Sequence, residues 1–288
     1  MSTLRKDTKT DVFSMKARWI SAIIGGLGIS WMFAHSYTFL ALAVLSTAIG
    51  GYEFVRLILV KTPNTIERLW LTVLLPVLTC FSGVLIILFP EKGMVAALIL
   101  YALQLPLVSV VEFFLHRDVL TIKEHIVDAV FGVFYLPFVH TLGFYIYWKY
   151  GWPYALLAVA STWIFDSMAF FVGIRFGKHP LMPTVSPKKT VEGSIGGLVG
   201  GFFGLWLAIR ILEVFWNQPI FALWQIGLLA VGLWMSATFG DLFESVLKRS
   251  SALKDIGNIL PGHGGWLDRI DSMLFYIPTL ALLLLLFQ

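Results

Sequence analysis

The end of the chain combines acidic side chains with lysine, arginine and glycine at spacings that suit phosphate chemistry. In "FGDLFESVLKR", Asp241, Glu244 and Lys248 follow an i, i+3, i+7 pattern, so one helix face carries all three. In "PGHGGWLDRID", Asp268 and Asp271 are spaced i, i+3. Carboxylate oxygens are the ligands that Mg²⁺ accepts beside substrate phosphates. We therefore predict a metal site formed by Asp241 and Asp268.

The identity of the metal follows from the other ligand types in the sequence. The chain has a single cysteine, Cys80, and no HExxH motif, so Mg²⁺ or Mn²⁺ is expected rather than Zn²⁺. Whether a monovalent cation such as K⁺ also binds is left open. Asp166 lies in the middle of the apolar run "TWIFDSMAFF" and is predicted to face the bundle interior as a further metal ligand. The alternative is that it bonds neighbouring backbone.

Basic side chains near these carboxylates are candidates for binding phosphate. In "TVSPKKTVEG", Ser186 is predicted as a helix N-cap with Pro187 behind it, which places Lys188 and Lys189 in the first helical turn. Ammonium groups oppose the helix dipole there, but they suit a bound anion. The alternative is that both lysines only mark the inner side of a membrane. Further candidate phosphate-binding residues are Lys248, Arg249, Lys254 and Arg269.

Several of these residues also have a purely structural interpretation. Glu244 and Lys248 could form a helical salt bridge, and Asp268 and Asp271 could stabilise a helix N-terminus. The glycine ladder "GSIGGLVGGFFG" is interpreted as a helix-packing face rather than a phosphate loop. His140 is interpreted as a hydrogen-bonded core histidine rather than a ligand.

Membrane helices are the elements that must position this chemistry. The chain is 58% hydrophobic and 13% charged, with a mean hydropathy of +0.83. Windows of about 20 residues give about nine apolar runs, which predicts an all-α polytopic membrane protein. The net charge is +4 and the pI is about 9.1. In a membrane protein this excess marks cytoplasmic loops, so no nucleic-acid partner is expected.

The charges also predict the orientation and the organisation of the chain. The chain has 21 Lys and Arg residues. If the N-terminus is placed in the cytoplasm, all of them lie in cytoplasmic segments except Lys92, Lys149 and Arg210. We predict a cytoplasmic segment at 1–16 and N-terminal transmembrane helices over 17–150. A C-terminal catalytic transmembrane region then covers 151–288, with cytoplasmic loops at 177–192 and 247–267.

Taken together, these motifs resemble the phosphatidate cytidylyltransferase family, also called CDP-diacylglycerol synthases. The signature of that family runs S-x-aliphatic-K-R, four residues, K-D, a small residue, P-x-H-G-G and D-R-x-D. The chain has "SVLKRSSALKDIGNILPGHGGWLDRID" from Ser245 to Asp271. The similarity covers roughly 162–272, whereas the first half resembles the family only in hydropathy. Trp266 departs from the pattern, where an aliphatic residue or Phe is usual.

The resemblance implies transfer of the cytidylyl group of CTP to phosphatidate, giving CDP-diacylglycerol and pyrophosphate at the cytoplasmic face of a bacterial inner membrane. It implies metal ligands Asp241 and Asp268, with Asp166 and Asp271 as further ligands or as groups behind them. Glu244 would orient Lys248. The implied catalytic residues are Lys189, Glu244, Lys248, His263 and Asp271, and the implied substrate-binding residues are Ser186, Lys188, Arg249, Lys254 and Arg269. The expected partners are the two substrates and membrane lipid, and a homodimer is left open.

Two other functions stay open on the sequence. A cation-coupled transporter built on Asp166, Asp241 and Glu244 would distribute polar groups across the bilayer, whereas here they cluster near one side. Another lipid-phosphate enzyme, such as a CDP-alcohol phosphotransferase or a lipid kinase, is the nearer alternative. A CDP-alcohol phosphotransferase would need its own Asp-rich helical motif, which the sequence lacks.

Overall fold

The fold was described from a computed structural model, for residues 33, 35–58, 65–216, 219–251 and 264–288. These residues are mostly helical, with one small antiparallel hairpin. In chain order, the elements are α1 (Ser36–Ile58), α2 (Thr65–Leu88), α3 (Gly93–Ala102), α4 (Gln104–Leu115), α5 (Val119–Val133), a π-helical turn (Phe134–Phe138), α6 (Val139–Tyr150), α7 (Trp152–Phe176), β1 (Pro180–Met182), β2 (Ser186–Thr190), α8 (Val191–Trp216), α9 (Leu223–Ser250) and α10 (Leu267–Leu286).

Eight segments of the described chain are long and apolar enough to cross a membrane, which confirms the predicted all-α polytopic fold. Two of them each combine consecutive helices, because α3 and α4 form one segment and α5, the π-helical turn and α6 form another. The first predicted span, together with the segment 1–16, lies outside the described residues. The protein is therefore an integral membrane protein.

The glycine ladder of α8 packs against α7 within the same chain. A Cβ atom added at Gly197 would lie 2.6 Å from the Phe165 ring, and one added at Gly204 would lie 2.6 Å from Ile164. A Cβ at Gly193 would lie 2.8 Å from the Ala169 carbonyl oxygen. The predicted packing role is confirmed, because only glycine allows this approach. Since the contacts are internal, the ladder gives no support to a homodimer.

We expect Gly197→Ala to destabilise the protein by about 1–3 kcal/mol, because the rigid Phe165 ring stands where the new methyl group must go. Gly227→Ala is the matched control, since a Cβ at Gly227 would meet nothing within 4 Å. Thermal unfolding of the purified variants in detergent measures the difference. Equal unfolding temperatures for the two variants would contradict this account of α7–α8 packing.

The prediction that Ser186 caps a helix is wrong. Ser186–Thr190 forms strand β2, which pairs antiparallel with β1, so Lys188 and Lys189 project from a hairpin rather than from a first helical turn. Helix α8 begins at Val191, and the Thr190 hydroxyl accepts a 3.1 Å hydrogen bond from Gly193 N–H. Thr190 is therefore the residue that caps the helix. Both strands of a two-stranded sheet are edge strands, which tolerate proline, so Pro187 is compatible with β2.

Candidate active site

A cavity of about 760 Å³ opens among α7, β2, α8, α9 and α10, and most of the candidate residues line it. The lining residues that the sequence singled out are Asp166, Lys188, Lys189, Asp241, Glu244, Lys248, Asp268, Arg269 and Asp271. Ser186 and Arg249 are not among the lining residues. Lys254 and His263 lie outside the described residues. The volume is in the range of small-molecule sites.

Close contact between α9 and α10 brings the acidic residues of two helices together. A Cβ atom at Gly240 would lie 2.6 Å from the carbonyl oxygen of Asp271, so glycine is required beside Asp241. The residue after Asp271 in α10 is Ser272, and its hydroxyl donates a 3.3 Å hydrogen bond to Asp166 of α7. Asp166 thus faces the cavity, as the sequence predicted, and three helices contribute carboxylates to it.

Asp241, Glu244 and Asp271 form the tightest acidic group of the cavity, with one oxygen of each lying within 4.8 Å of the others. Glu244 and Asp271 are buried, at 1% and 6% exposure. Within the described chain, Glu244 Oε1 has no hydrogen-bond partner. Three carboxylates this close repel one another, and a cation bound between them would relieve that repulsion. The group therefore fits a hard divalent cation, which takes carboxylate oxygens.

Asp268 has a different environment from the one that the sequence suggested. Its Oδ1 accepts a 2.8 Å hydrogen bond from Lys248, and its Oδ2 accepts one of 2.9 Å from Gly265 N–H. Lys248 also donates to Glu244 at 3.1 Å, so the predicted pairing of Glu244 with Lys248 is present. Lys248 thereby links α9 to the start of α10. The structure places Asp271, rather than Asp268, in the acidic group with Asp241.

The cations of the cavity come from the hairpin and from α9 and α10. Lys189 forms an ion pair with Asp241, and Lys188 precedes it in the same strand. Arg269 lies between the two acidic residues of α10 and lines the cavity. Because the hairpin joins α7 to α8, it holds both lysines over the end of the bundle where α10 begins. Anionic phosphate groups would meet positive charge from two directions there.

Glu53 of α1 is a residue of the site that the sequence analysis missed. It is fully buried, and its carboxylate accepts hydrogen bonds from Trp266 N–H at 3.0 Å and Leu267 N–H at 2.8 Å. Trp266 is the N-cap residue of α10 and Leu267 is its first residue, so neither N–H has a partner inside the helix. A carboxylate within the apolar run "IGGYEFV" was the signal that could have revealed it.

The glycines before α10 allow Glu53 and Asp268 to approach the chain. Gly264 has a φ of +84°, a conformation that glycine adopts without strain. A Cβ atom at Gly265 would lie 3.0 Å from Glu53 Oε2 and 3.0 Å from Asp268 Oδ2. The glycines of this motif therefore let the backbone lie close to two carboxylates.

Trp266 has a defined partner, which accounts for an indole at this position. Its Nε1 donates a 2.9 Å hydrogen bond to the Ser46 hydroxyl, which also contacts His140 Nε2 at 2.7 Å. His140 Nδ1 lies 2.9 Å from the Leu136 carbonyl oxygen. Both ring nitrogens of this buried histidine are thus satisfied, which confirms its predicted structural role. The network ties the start of α10 to α1 and to the π-helical turn.

The fold and the cavity together define a polytopic integral membrane protein with a charged site at one end of its helical bundle. Comparison with known proteins gives the family. Residues 16–287 match the family model described as the cytidylyltransferase family. The chain belongs to this family.

Three relatives show how far the similarity extends, and all three are named phosphatidate cytidylyltransferase. The protein of Thermotoga maritima is 38% identical over 55% of this chain and 57% of its own length. That of Staphylococcus saprophyticus is 36% identical over 70% of this chain and 76% of its own. That of Bacillus subtilis is 45% identical over 49% of this chain and 50% of its own. The chain thus aligns with about half the length of two of these relatives.

Proposed function

We propose that the protein transfers the cytidylyl group of CTP to phosphatidate, giving CDP-diacylglycerol and pyrophosphate. The observation that carries this proposal is that one cavity combines charged side chains with apolar side chains of a membrane-spanning helix. Phe170 and Ile174 of α7 line the cavity and are 62% and 71% exposed on a membrane-spanning helix. A substrate with a phosphate head and acyl chains matches both kinds of lining, and the names of the relatives point to the same reaction.

Asp241, Glu244 and Asp271 are the residues that would hold Mg²⁺, because their oxygens converge and one of them lacks a hydrogen-bond partner among the described residues. When bound, a divalent cation supplies charge neutralisation to phosphate oxygens. Lys189 is already paired with Asp241, so it stands beside this group and could shift to an incoming phosphate. Lys248 holds Glu244 and Asp268 in place.

The chemistry requires little more than positioning and charge. A phosphate oxygen of phosphatidate forms a bond to the α-phosphorus of CTP, and the bond from that phosphorus to the bridging oxygen of the leaving pyrophosphate breaks. The nucleophile is already an anion, so no side chain has to remove a proton from it. Lys188, Lys189 and Arg269 would neutralise the transferred and leaving phosphates, which is the main demand of phosphoryl-type transfer.

The test uses purified protein, phosphatidate, Mg²⁺ and CTP that carries the radiolabel on either the α- or the γ-phosphate. We expect the α-label to appear in lipid and the γ-label to appear in pyrophosphate. Transfer of the γ-label to lipid would identify a lipid kinase instead. Replacing phosphatidate by diacylglycerol is the matched control, since diacylglycerol lacks the attacking phosphate.

We propose that the cavity faces the cytoplasm of a bacterial inner membrane. The charge distribution of the loops supports this orientation. In a Cys80→Ala background, Lys178→Cys should react with an impermeant thiol reagent only from the cytoplasmic side. Lys92→Cys, which replaces an exposed residue between two spans on the opposite side, should react only from outside. The reverse pattern of labelling would overturn the orientation.

A further inference from the structure

A second group of candidate metal ligands lies where α4 ends and α5 begins. Glu112, His116 and His125 each offer one ligand atom, and these atoms lie within 4.8 Å of one another. Glu112 and His125 are buried, and the side chain of His116 is 14% exposed. None of the three lines the cavity of the proposed active site. The group therefore requires an explanation of its own.

The ligand atoms of Glu112, His116 and His125 form a nearly equilateral triangle. His116 Nε2 and His125 Nδ1 are 3.2 Å apart, and each lies 3.5 Å from Glu112 Oε2. Zinc bonds of about 2.0–2.1 Å at tetrahedral angles separate neighbouring ligand atoms by about 3.3–3.4 Å. Hydrogen bonds from imidazole to carboxylate are shorter, about 2.7–3.2 Å. The two 3.5 Å sides from histidine to carboxylate thus match one face of a tetrahedron around a metal better than they match hydrogen bonds, and the 3.2 Å side between the histidines is also within hydrogen-bonding distance.

Local structure holds the ligands in this arrangement. Glu112 and His116 are spaced i, i+4 at the end of α4. The backbone N–H of His116 donates a 3.0 Å hydrogen bond to the Glu112 carbonyl oxygen. Asp118 then caps α5 by accepting from the N–H of Thr121 at 2.9 Å and from its hydroxyl at 2.8 Å. These hydrogen bonds lower the pKa of Asp118. The N-cap Asp118 lies two residues after His116, and the capped helix that follows fixes where His125 lies.

We propose that Glu112, His116 and His125 bind a divalent transition-metal ion, with Zn²⁺ as the ion of choice. Imidazole nitrogen favours zinc and its neighbours in the first transition row over Mg²⁺, so this site is chemically separate from the all-carboxylate group of the cavity. Three protein ligands leave a fourth position for water on the exposed side of His116. The ion would fasten α4 to α5 across the short turn that joins two membrane spans.

The experiment measures zinc in the full-length protein, purified through an affinity tag without histidine. Protein in detergent is loaded with Zn²⁺, passed through gel filtration in excess Mg²⁺, and assayed by metal mass spectrometry. We expect about one zinc ion per chain in the wild type. His125→Gln and Glu112→Gln should reduce the bound zinc at least tenfold. His35→Gln, which changes an exposed histidine elsewhere, and Asp241→Asn, which changes the cavity, should keep it.

Two further readouts keep the test decisive if a buried variant fails to fold. His116→Gln alters the most exposed of the three ligands and should also lose zinc. Co²⁺ bound to the wild type should give the intense visible absorption of a four-coordinate site, and zinc should raise the unfolding temperature of the wild type but not of His116→Gln. Equal zinc content in wild type and His116→Gln would overturn the proposal, as would loss of the zinc in Asp241→Asn.

Discussion

Asp241→Asn and Asp271→Asn should each lower kcat by roughly 100-fold or more while the protein stays folded. Asparagine keeps the size of the side chain but removes its charge. The oxygens of Asp241, Glu244 and Asp271 lie within 4.8 Å of one another, so each charge contributes directly to holding a divalent cation. The measurement is a Mg²⁺ titration of cytidylyl transfer, in which the midpoint should move to higher Mg²⁺ concentration for both variants.

Asp268→Asn separates metal binding from positioning. Asp268 is bonded to Lys248 and Gly265, so its loss should reduce turnover while the Mg²⁺ midpoint stays close to that of the wild type. Glu91→Gln, a change at an exposed carboxylate in a loop, is the control for altered surface charge. Wild-type turnover and midpoint in Asp241→Asn and Asp271→Asn would overturn the assignment. A shifted midpoint in Asp268→Asn alone would restore Asp268 as the ligand that the sequence suggests.

Glu53→Ala is expected to have the largest effect outside the cavity. The substitution leaves the N–H groups of Trp266 and Leu267 without their acceptor in a buried place. Each unsatisfied buried donor costs about 1–3 kcal/mol, so the combined loss is several kcal/mol. Because these N–H groups lie at the start of α10, the substitution should also displace Asp268 and Asp271 from their places in the cavity. We expect a lower unfolding temperature and a kcat reduced at least tenfold.

Two milder variants give the comparison for Glu53. Glu53→Gln keeps one acceptor oxygen and should fall between the wild type and Glu53→Ala. Ser46→Ala removes only the partner of the Trp266 indole, so its effect should be smaller. Thermal unfolding and kcat are measured on the same preparations. If Glu53→Ala unfolds and turns over like Ser46→Ala, the carboxylate does not position α10.

The sequence alone determined the class of protein and most of the residues of the site. Long apolar runs have to become membrane helices, because backbone groups in lipid can be satisfied only within a helix or a closed barrel. Eight predicted spans accordingly appear in the described chain. Charged residues in an apolar segment are costly, so Asp166 and Asp241 stood out and do line the cavity. The spaced motif from Ser245 to Asp271 carried the family resemblance that the family model then showed.

Only the tertiary structure decided which charged groups meet. Periodicity fixes the face of a residue on its own helix, but the rotation and the height of one helix against another depend on packing. The close contact of Gly240 with the Asp271 carbonyl brings Asp271, rather than Asp268, into the group with Asp241. Glu53 of α1 contacts the start of α10 although it lies 213 residues before Trp266 in the chain. The ion pair between Lys189 and Asp241 likewise depends on contacts between separate elements, which no local pattern specifies.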